Sequence, residues 1–374
     1  AVSGARGHED RRGLIRMAPG DPILVSVVVP VYNGAHCLPR CIESLQRQTH
    51  PRVEILVVDD GSTDGTPGLV KPPVRLLSTG GRKGAGAARN IGARAAAGEV
   101  LFFTDADVVA PPDWIEKALK ARTEKGVPCG GGGYAGPVKE MFIQQFAHEE
   151  LVWRRRHHHG YVETLVSNNL WCDRDLFLAT GGFPEAYQAA SSEDMEFSWA
   201  VSRDHRLWWD ADNGVFHDFA DTMGTYLKQQ IRFARDAVPM LMGNRALRGG
   251  GKTHHGRQLY VEIAFTGLGI VFFPLFLGVL AANMGFLRQI SQKRGPKFAA
   301  MALGMAFLRN ISILWGVAVG FGEFIQGRTL MKPPEDPRGL APRVNQVEMR
   351  PVSASQPDSP TPQGGGGFTS SSES

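Results

Sequence analysis

Two stretches of this chain run through apolar residues straight into paired acids: VEILVVDDGSTDGT at 53–66 and VLFFTDADVVAPPDW at 100–114. The second has β-branched and aromatic residues and no polar face before its acids. That pattern describes a strand covered on both sides, as in a parallel sheet flanked by helices. In such sheets ligands sit beyond the carboxyl ends of the strands, which is where these acids stand. Asp105 and Asp107 are two apart, and extended backbone sends both to one side. Two convergent carboxylates there can hold a divalent cation through oxygen. Taken alone, the stretch also fits a solvated turn, because Asp and Pro are common turn residues. The order of the surrounding elements has to decide.

That order is strand and helix in alternation. An apolar run at 23–29, ILVSVVV, ends at Pro30. CLPRCIESLQRQT follows, with Leu38, Ile42 and Leu45 at helical spacing. Strands over 53–58 and 74–77 come next, then GGRKGAGAARNIGARAAAGE, a Gly-rich loop entering an Ala-rich helix, then the VLFFTDAD strand. The arrangement is that of a doubly wound α/β nucleotide site. GAGAAR lacks the last glycine of GxGxxG and follows no long apolar strand, so a dinucleotide fold is poorly supported. ALRGGGKT at 246–253 fits a relaxed phosphate-loop pattern, but its flanks, MLMGNR and HHGRQ, supply neither strand nor helix. It reads as a chance match.

Composition narrows the class. The 374 residues can bury one large core or two modest ones. With 41 Lys and Arg against 37 Asp and Glu, the chain is too balanced for a dedicated nucleic-acid binder. Four cysteines show no CxxC pair, and Cys37 and Cys41 read as small apolar residues of one helix face in a reduced compartment. Residues 1–23 read as a flexible leader with no secretory signal, and 331–374, rich in Pro, Ser and Gly, as a disordered tail. The run WRRRHHHGY at 153–161 reads as an exposed basic loop, since consecutive histidines cannot all face one ion.

Between 246 and 330 lie a basic segment and two apolar blocks, 263–287 and 298–322. The first is uncharged, contains Pro274 and is long enough for a hydrocarbon layer of roughly 30 Å. The second carries Arg309 at its middle, so it is expected to kink, lie in the interface or bury Arg309 against a partner. Neither block has a polar stripe, which favours membrane association over two buried soluble helices. The loop between them holds Arg288, Lys293, Arg294 and Lys297, and both outer flanks are basic too, so the positive-inside rule gives no orientation. A re-entrant or in-plane pair would keep all loops on one side. From 229 to 257 there are six Lys or Arg against one acid, Asp236, which suits an anionic membrane surface or a lipid phosphate.

VSVVVPVYNGAHCLPRCIESLQRQTH, VEILVVDDGSTDGT, GAGAARNIGARAAAGE, LFFTDADV and SSEDMEF, in that order, resemble the family-2 glycosyltransferases of GT-A fold. The resemblance, over roughly 24–243, implies an α/β fold, a Rossmann-like mixed sheet flanked by helices; the catalytic domain is set at 24–245, with the apolar blocks as C-terminal membrane helices. It also implies transfer of a sugar from a nucleotide-diphosphate donor with inversion, and Mg²⁺ or Mn²⁺ as cofactor. On this reading Pro30, Tyr32, Asn33 and Asp60 line the base-binding loop, and Arg89 lies near the nucleotide. Asp105 contacts ribose or metal, and Asp107 ligates metal. Asp194, in the pair Glu193-Asp194, takes the proton of the acceptor hydroxyl as general base, and Glu193 contacts the acceptor or the diphosphate. Ser191 or Ser192 would cap that helix start. His217 in VFHDF stands where relatives carry a histidine that reaches metal or diphosphate, although a lone histidine also fits a structural place.

Gln229 and Arg232, followed by Phe233, resemble the QxxRW of processive synthases and imply contacts to acceptor or diphosphate. Phe233 replaces the Trp, so one or few transfers are expected. The acceptor pocket is expected from loops within 129–167. The implied partners are the donor, a hydroxyl acceptor that is lipid-linked or a saccharide, and an anionic membrane, with no nucleic acid. The implied place is the inner membrane with the catalytic domain facing the cytoplasm, in cell-envelope glycan or polysaccharide synthesis. Two alternatives stay open. A sugar nucleotidyltransferase would want a basic Gly-rich loop directly after the first strand, where this chain has PVYNGA. An inactive membrane scaffold would have no use for both acid pairs.

Overall fold

The side chains of the fully buried first strand alternate between two cores and set the layers of the molecule. In β1 (Val25–Val31), Val25, Val27 and Val29 enter one core while Val28 enters another. The computed structural model describes residues 22–156, 158–185, 193–243, 261–264, 266 and 276–326. β2 (Val53–Asp59), β3 (Arg75–Ser78) and β4 (Val100–Phe103) run parallel to β1 in the order β3-β2-β1-β4. Every side chain of β4 is sealed from solvent, as expected for a strand covered on both faces. The remaining strands are β5 (Val108–Val109), β6 (Cys129–Pro137), β7 (Gly160–Val162), β8 (Leu170–Asp173) and β9 (Leu207–His217). They continue the sheet as β4-β8-β6-β9-β5, with β7 also on β9. β8 is antiparallel to β4 and β6, while β6 and β9 are parallel. The sheet is therefore mixed, with a parallel half that carries the strand-end acids.

Helices cover both faces. α1 (Leu38–Gln46) and α3 (Trp114–Lys125) bury Leu38, Ile42, Leu45, Trp114 and Ile115 against Val25, Val27, Val57 and Phe102. On the other face α2 (Ala85–Ala95), α5 (Arg174–Ala179) and α6 (Glu193–Ser202) bury Ala88, Phe177 and Phe197 against Val28, Leu56, Leu101 and Phe103. α2 lies almost on the strands: a Cβ at Gly92 would stand 2.3 Å from Val28 Cγ1. Pro30, which offers no N–H, sits past the point where β1 stops pairing with β4, so no ladder bond is lost on that side.

A third core joins the C-terminal helices to the rest. α4 (Phe142–Arg155), α7 (Met223–Gly243), α8 (Phe276–Arg294) and α9 (Pro296–Ile325) meet around Phe146, Tyr226, Phe286, Ile290, Ala302 and Met305. α9 contacts α7 backbone to backbone, because a Cβ at Gly316 would stand 2.3 Å from the Ile231 carbonyl oxygen and one at Gly320 2.5 Å from that of Arg235. Among the described residues α9 is the one helix long and apolar enough to cross a membrane. The block at 263–287 lies partly outside the described residues, with α8 starting inside it.

Two expectations change. The 129–167 stretch is not loop throughout: its CGGGG forms the start of β6, because only glycine lets Trp171 and the Asn213 carbonyl come so near. Nor is WRRR an exposed loop. It closes α4, and Arg155 is buried with its guanidinium 5.2 Å from the Tyr134 ring centroid and 5.1 Å from that of Trp209. His157 lies outside the described residues, as do 246–253, Ser191 and Ser192.

Candidate active site

The carboxyl ends of β1 and β2 are stitched into one platform. Asn33 takes φ 51°, a left-handed conformation that Asn tolerates. Its N–H donates to Ser62 Oγ at 2.8 Å, and its Oδ1 accepts from the Thr63 N–H at 2.8 Å. Asp59 turns back on its own loop and accepts from the Gly61 and Ser62 N–H groups. Asp60 faces the Gly-rich loop, where Oδ1 accepts from Thr79 Oγ1 at 3.0 Å and the Lys83 N–H at 2.7 Å. Its Oδ2 accepts from the Gly84 N–H at 2.9 Å, which leaves that oxygen a second lone pair. Tyr32 stays exposed beside it, with the Arg82 guanidinium 3.9 Å from its ring centroid. Pro30, Tyr32, Asn33 and Asp60 thus fall at one sheet edge.

Beyond β4 the chain turns, and the short β5 pairs antiparallel with β9 so that Val108 lies opposite His217. That pairing brings a histidine from late in the chain beside the strand-end acids. Ligand atoms of Asp105, Asp107 and His217 all lie within 4.8 Å of one another, with His217 Nε2 3.6 Å from Asp107 Oδ1. Asp107 Oδ1 is sealed from water yet has no hydrogen-bond partner. Such an orphaned oxygen is costly unless a cation or donor meets it. Removal of water raises the Asp107 carboxyl above its ordinary range; His217 opposes this and Asp105 adds to it. Two carboxylates and an imidazole form a donor set that suits Mg²⁺ or Mn²⁺, so the residues present fit the expected ion.

Arg89 links this cluster to the second acid pair. It is 1% exposed, and it donates through Nη2 to Asp105 at 2.6 Å and through Nη1 to Glu193 at 2.9 Å. Glu193 is therefore held against Arg89 within the protein, and Asp194 follows it at the start of α6. Asp194 Oδ2 accepts from the Ser167 N–H at 3.0 Å, and Oδ1 from the Met195 N–H at 2.8 Å. Burial, then the neighbouring Glu193, pushes its carboxyl up to about 7, while the Ser167 N–H and Arg89 pull the other way. A carboxylate with that affinity for protons can serve as a base near neutrality. Gln229 and Arg232 sit half-buried on α7, with the Arg232 guanidinium 5.2 Å from the Phe233 ring centroid. Neither takes part in the hydrogen bonds that join Arg89, Asp105, Glu193 and Asp194.

Residues 26–158 match the family model described as Glycosyl transferase family 2. Over 239 residues the chain is 34% identical to glycosyltransferase AglE of Haloferax volcanii, covering 59% of this chain and 75% of that protein. The chain belongs to glycosyltransferase family 2. It is also 35% identical over 117 residues to glycosyltransferase GlyG of Streptococcus pneumoniae, a match spanning 30% of this chain but 39% of that one. With succinoglycan biosynthesis protein ExoO of Rhizobium meliloti the identity is 28%, over 41% of this chain and half of that protein's length, 50%. Among solved structures, the mannosyltransferase of Pyrobaculum calidifontis in complex with GDP-Man and Mn²⁺ superposes with TM-score 0.47 at 22% identity, covering 83% and 84% of the two chains.

In this glycosyltransferase the residues that sequence reasoning missed stand between the two acid clusters. Tyr134 packs its ring edge-on to His217 at 5.8 Å and accepts at its hydroxyl from Asn168 Nδ2 at 2.9 Å. Ser167, beside Asn168, holds Asp194, and Arg155 lies within electrostatic reach of Asp194. None belongs to a local motif. The one available signal was the four-glycine run, which marks a close backbone approach near Tyr134.

Proposed function

We propose that this family-2 glycosyltransferase moves a sugar from a nucleotide-diphosphate donor to a hydroxyl acceptor with inversion. The observation that carries the reading is the Arg89 bridge, which brings the Asp105–Asp107 end of the sheet against the Glu193–Asp194 start of α6. Leaving-group chemistry and acceptor deprotonation both need carboxylates, one set at the diphosphate and one at the incoming hydroxyl, and the bridge holds two such pairs about one guanidinium apart. The platform of Pro30, Tyr32, Asn33 and Asp60 would receive the base, with the spare Asp60 lone pair open to a ring N–H. Asp105, Asp107 and His217 would hold Mg²⁺ or Mn²⁺, which when bound neutralises charge on the departing diphosphate. Arg89 fixes Asp105 and withdraws Glu193 from reaction. Asp194 accepts the proton of the attacking hydroxyl at its free carboxylate lone pair while the Ser167 and Met195 N–H groups keep the side chain in place.

The catalytic domain would span 24–245, and the segment 246–330 would bind an anionic membrane at the cytoplasmic face, where nucleotide-sugars are found. A lipid-linked or saccharide acceptor of cell-envelope glycan fits that place, with Gln229 and Arg232 near its phosphate or the diphosphate. The test is a donor panel on the full chain with and without Mn²⁺, run beside Asp107→Ala. Wild type should transfer or hydrolyse one donor in a Mn²⁺-dependent way. Asp107→Ala should lose transfer and metal-dependent donor binding together, and near-normal turnover with unchanged Mn²⁺ dependence would overturn the metal assignment.

A further inference from the structure

α9 has two faces of opposite character. Its inner face carries Arg309, which is 2% exposed and paired with Glu150 of α4 and with Glu262. Asn310 continues the inner network by donating to Thr266 Oγ1 at 3.0 Å. Glu150 also accepts from the Tyr226 hydroxyl of α7 at 2.7 Å, and Arg154 pairs with it from the same helix. The outer face is different. Met301, Leu308, Ile311, Trp315 and Ile325 recur at helical spacing, with Phe321 at the margin of the face, and all are exposed, Trp315 by 64% and Ile325 by 68%. Between Met301 and Ile325 the charged residues are the buried Arg309 and the half-buried Glu323 near the C-terminal end. A stripe of this length on the surface of a protein marks an interaction face.

We infer that α9 lies in the plane of a membrane, its outer stripe in the headgroup boundary of an anionic bilayer and its inner face on the catalytic domain. This rests on the membrane-associated reading above and decides the manner of attachment. A crossing helix would carry its packing partners to the same depth. α7 touches α9 at Gly316 and Gly320 through Ile231, Ala234 and Arg235. On that stretch α7 also bears Lys228, Arg232 and Arg235, all partly or fully open to solvent. Hydrocarbon around α9 would surround those charges, and Arg309, Glu150 and Glu262 would lie near the midplane, where ionised groups are strongly disfavoured. With the helix in the plane, the apolar stripe alone meets lipid and the charges stay within the protein or in water. The basic residues on the adjoining surface, Arg288 of α8 and Lys297 of α9, are both exposed and match anionic headgroups.

The experiment uses the full chain bound to phosphatidylcholine vesicles with and without phosphatidylglycerol. A spin label is placed in turn at Met301→Cys, Leu308→Cys, Trp315→Cys and Ile325→Cys; the native cysteines Cys37, Cys41, Cys129 and Cys172 are all buried. In-plane binding gives similar depths at all four positions, within about 5–10 Å of the headgroup boundary. The double variant Leu308→Gln with Ile311→Gln should lower vesicle partition at least about tenfold, the effect of losing about two buried side chains, with an unchanged circular dichroism spectrum. Depths that rise from both ends to a maximum of about 15 Å at the centre would show a crossing helix and overturn the inference while leaving membrane association intact. Dipolar coupling between labels without lipid contact would assign the stripe to a second copy of the chain and overturn it. Failure of the wild type to bind any vesicle would overturn both the inference and the membrane reading.

Discussion

Two buried arginines, each clamped between two carboxylates, divide this molecule into a part proposed to react and a part that holds. Arg89 lies between Asp105 and Glu193, and Arg309 between Glu150 and Glu262. Around Arg309 the charges balance, because Arg154 joins it against the two glutamates, and every partner is closed off. Around Arg89 they do not. Asp107 and Asp194 add to Asp105 and Glu193, and Asp105 keeps 30% of its side chain open. A balanced, sealed cluster fixes geometry. A cluster with surplus acid and an open side suits the cation and the proton proposed for it. The same side-chain geometry thus has two uses, told apart by net charge and exposure.

The strongest way to break this contrast is to remove the surplus. Asp194→Asn should keep the fold and the affinity for donor, but lower turnover by about 10²–10⁴-fold, the usual contribution of a positioned base. In wild type, with the Asp194 carboxyl at about 7, the base is ionised above that pH and protonated below it, so kcat/KM should fall about tenfold per pH unit on the acid side. The stability consequence has the opposite sense. The folded chain binds a proton here that the unfolded chain, with an ordinary carboxyl, has already lost, so stability should decline as pH rises from about 4 to about 7. Asp194→Asn should therefore match or exceed wild-type thermal stability at pH 8. Steady-state kinetics with titrated donor and a melting curve at pH 5 and 8 check both halves, and a variant that is equally impaired and less stable at pH 8 would assign Asp194 to structure.

Next in size is the sealed arginine. Arg309→Met should cost about 3–5 kcal/mol, because the buried Glu150 and Glu262 lose a cationic partner they share. The fraction that remains folded should keep near-normal kcat. Arg89→Met should lower both stability and kcat. Chemical denaturation with kinetics on the folded fraction separates them, and equal catalytic losses in the two variants would erase the distinction.

The smallest effect probes the seam between the two parts. Gly316→Ala would push a Cβ against the Ile231 carbonyl and should cost about 1–3 kcal/mol, typical of overpacking, with kcat unchanged. A shift in melting temperature without a shift in KM is the expected result.

The parallel half of the sheet could be read from the chain because its signals are local. Val100 to Phe103 show no polar face, and Asp105 and Asp107 share a side simply by being two apart. His217 is different. It has meaning only once β5 pairs with β9, and no spacing announces that pairing. Tyr134 and Arg155 were hidden for opposite reasons, one inside a glycine run of low strand propensity and one inside a basic run that normally stays in water. The apolar block around Arg309 showed no polar stripe in the sequence because the polar part of its inner face is one arginine, one asparagine and one serine.

Arg154 and Arg155 stand next to each other at the end of α4 yet serve different neighbourhoods, one tied to Glu150 beneath α9, the other set among Tyr134, Trp209 and Asp194. For anyone recombining relatives, this makes the C-terminal helices a poor module to exchange. A chimera joined after α7 would import an α9 with no matching acid on α4, and would leave Glu149 without Lys293 and Arg294 and Glu150 without Arg309. The smallest transplantable unit is α4, α7, α8 and α9 together, so the inheritance of this tail is bound to that of a helix inside the globular part of the chain.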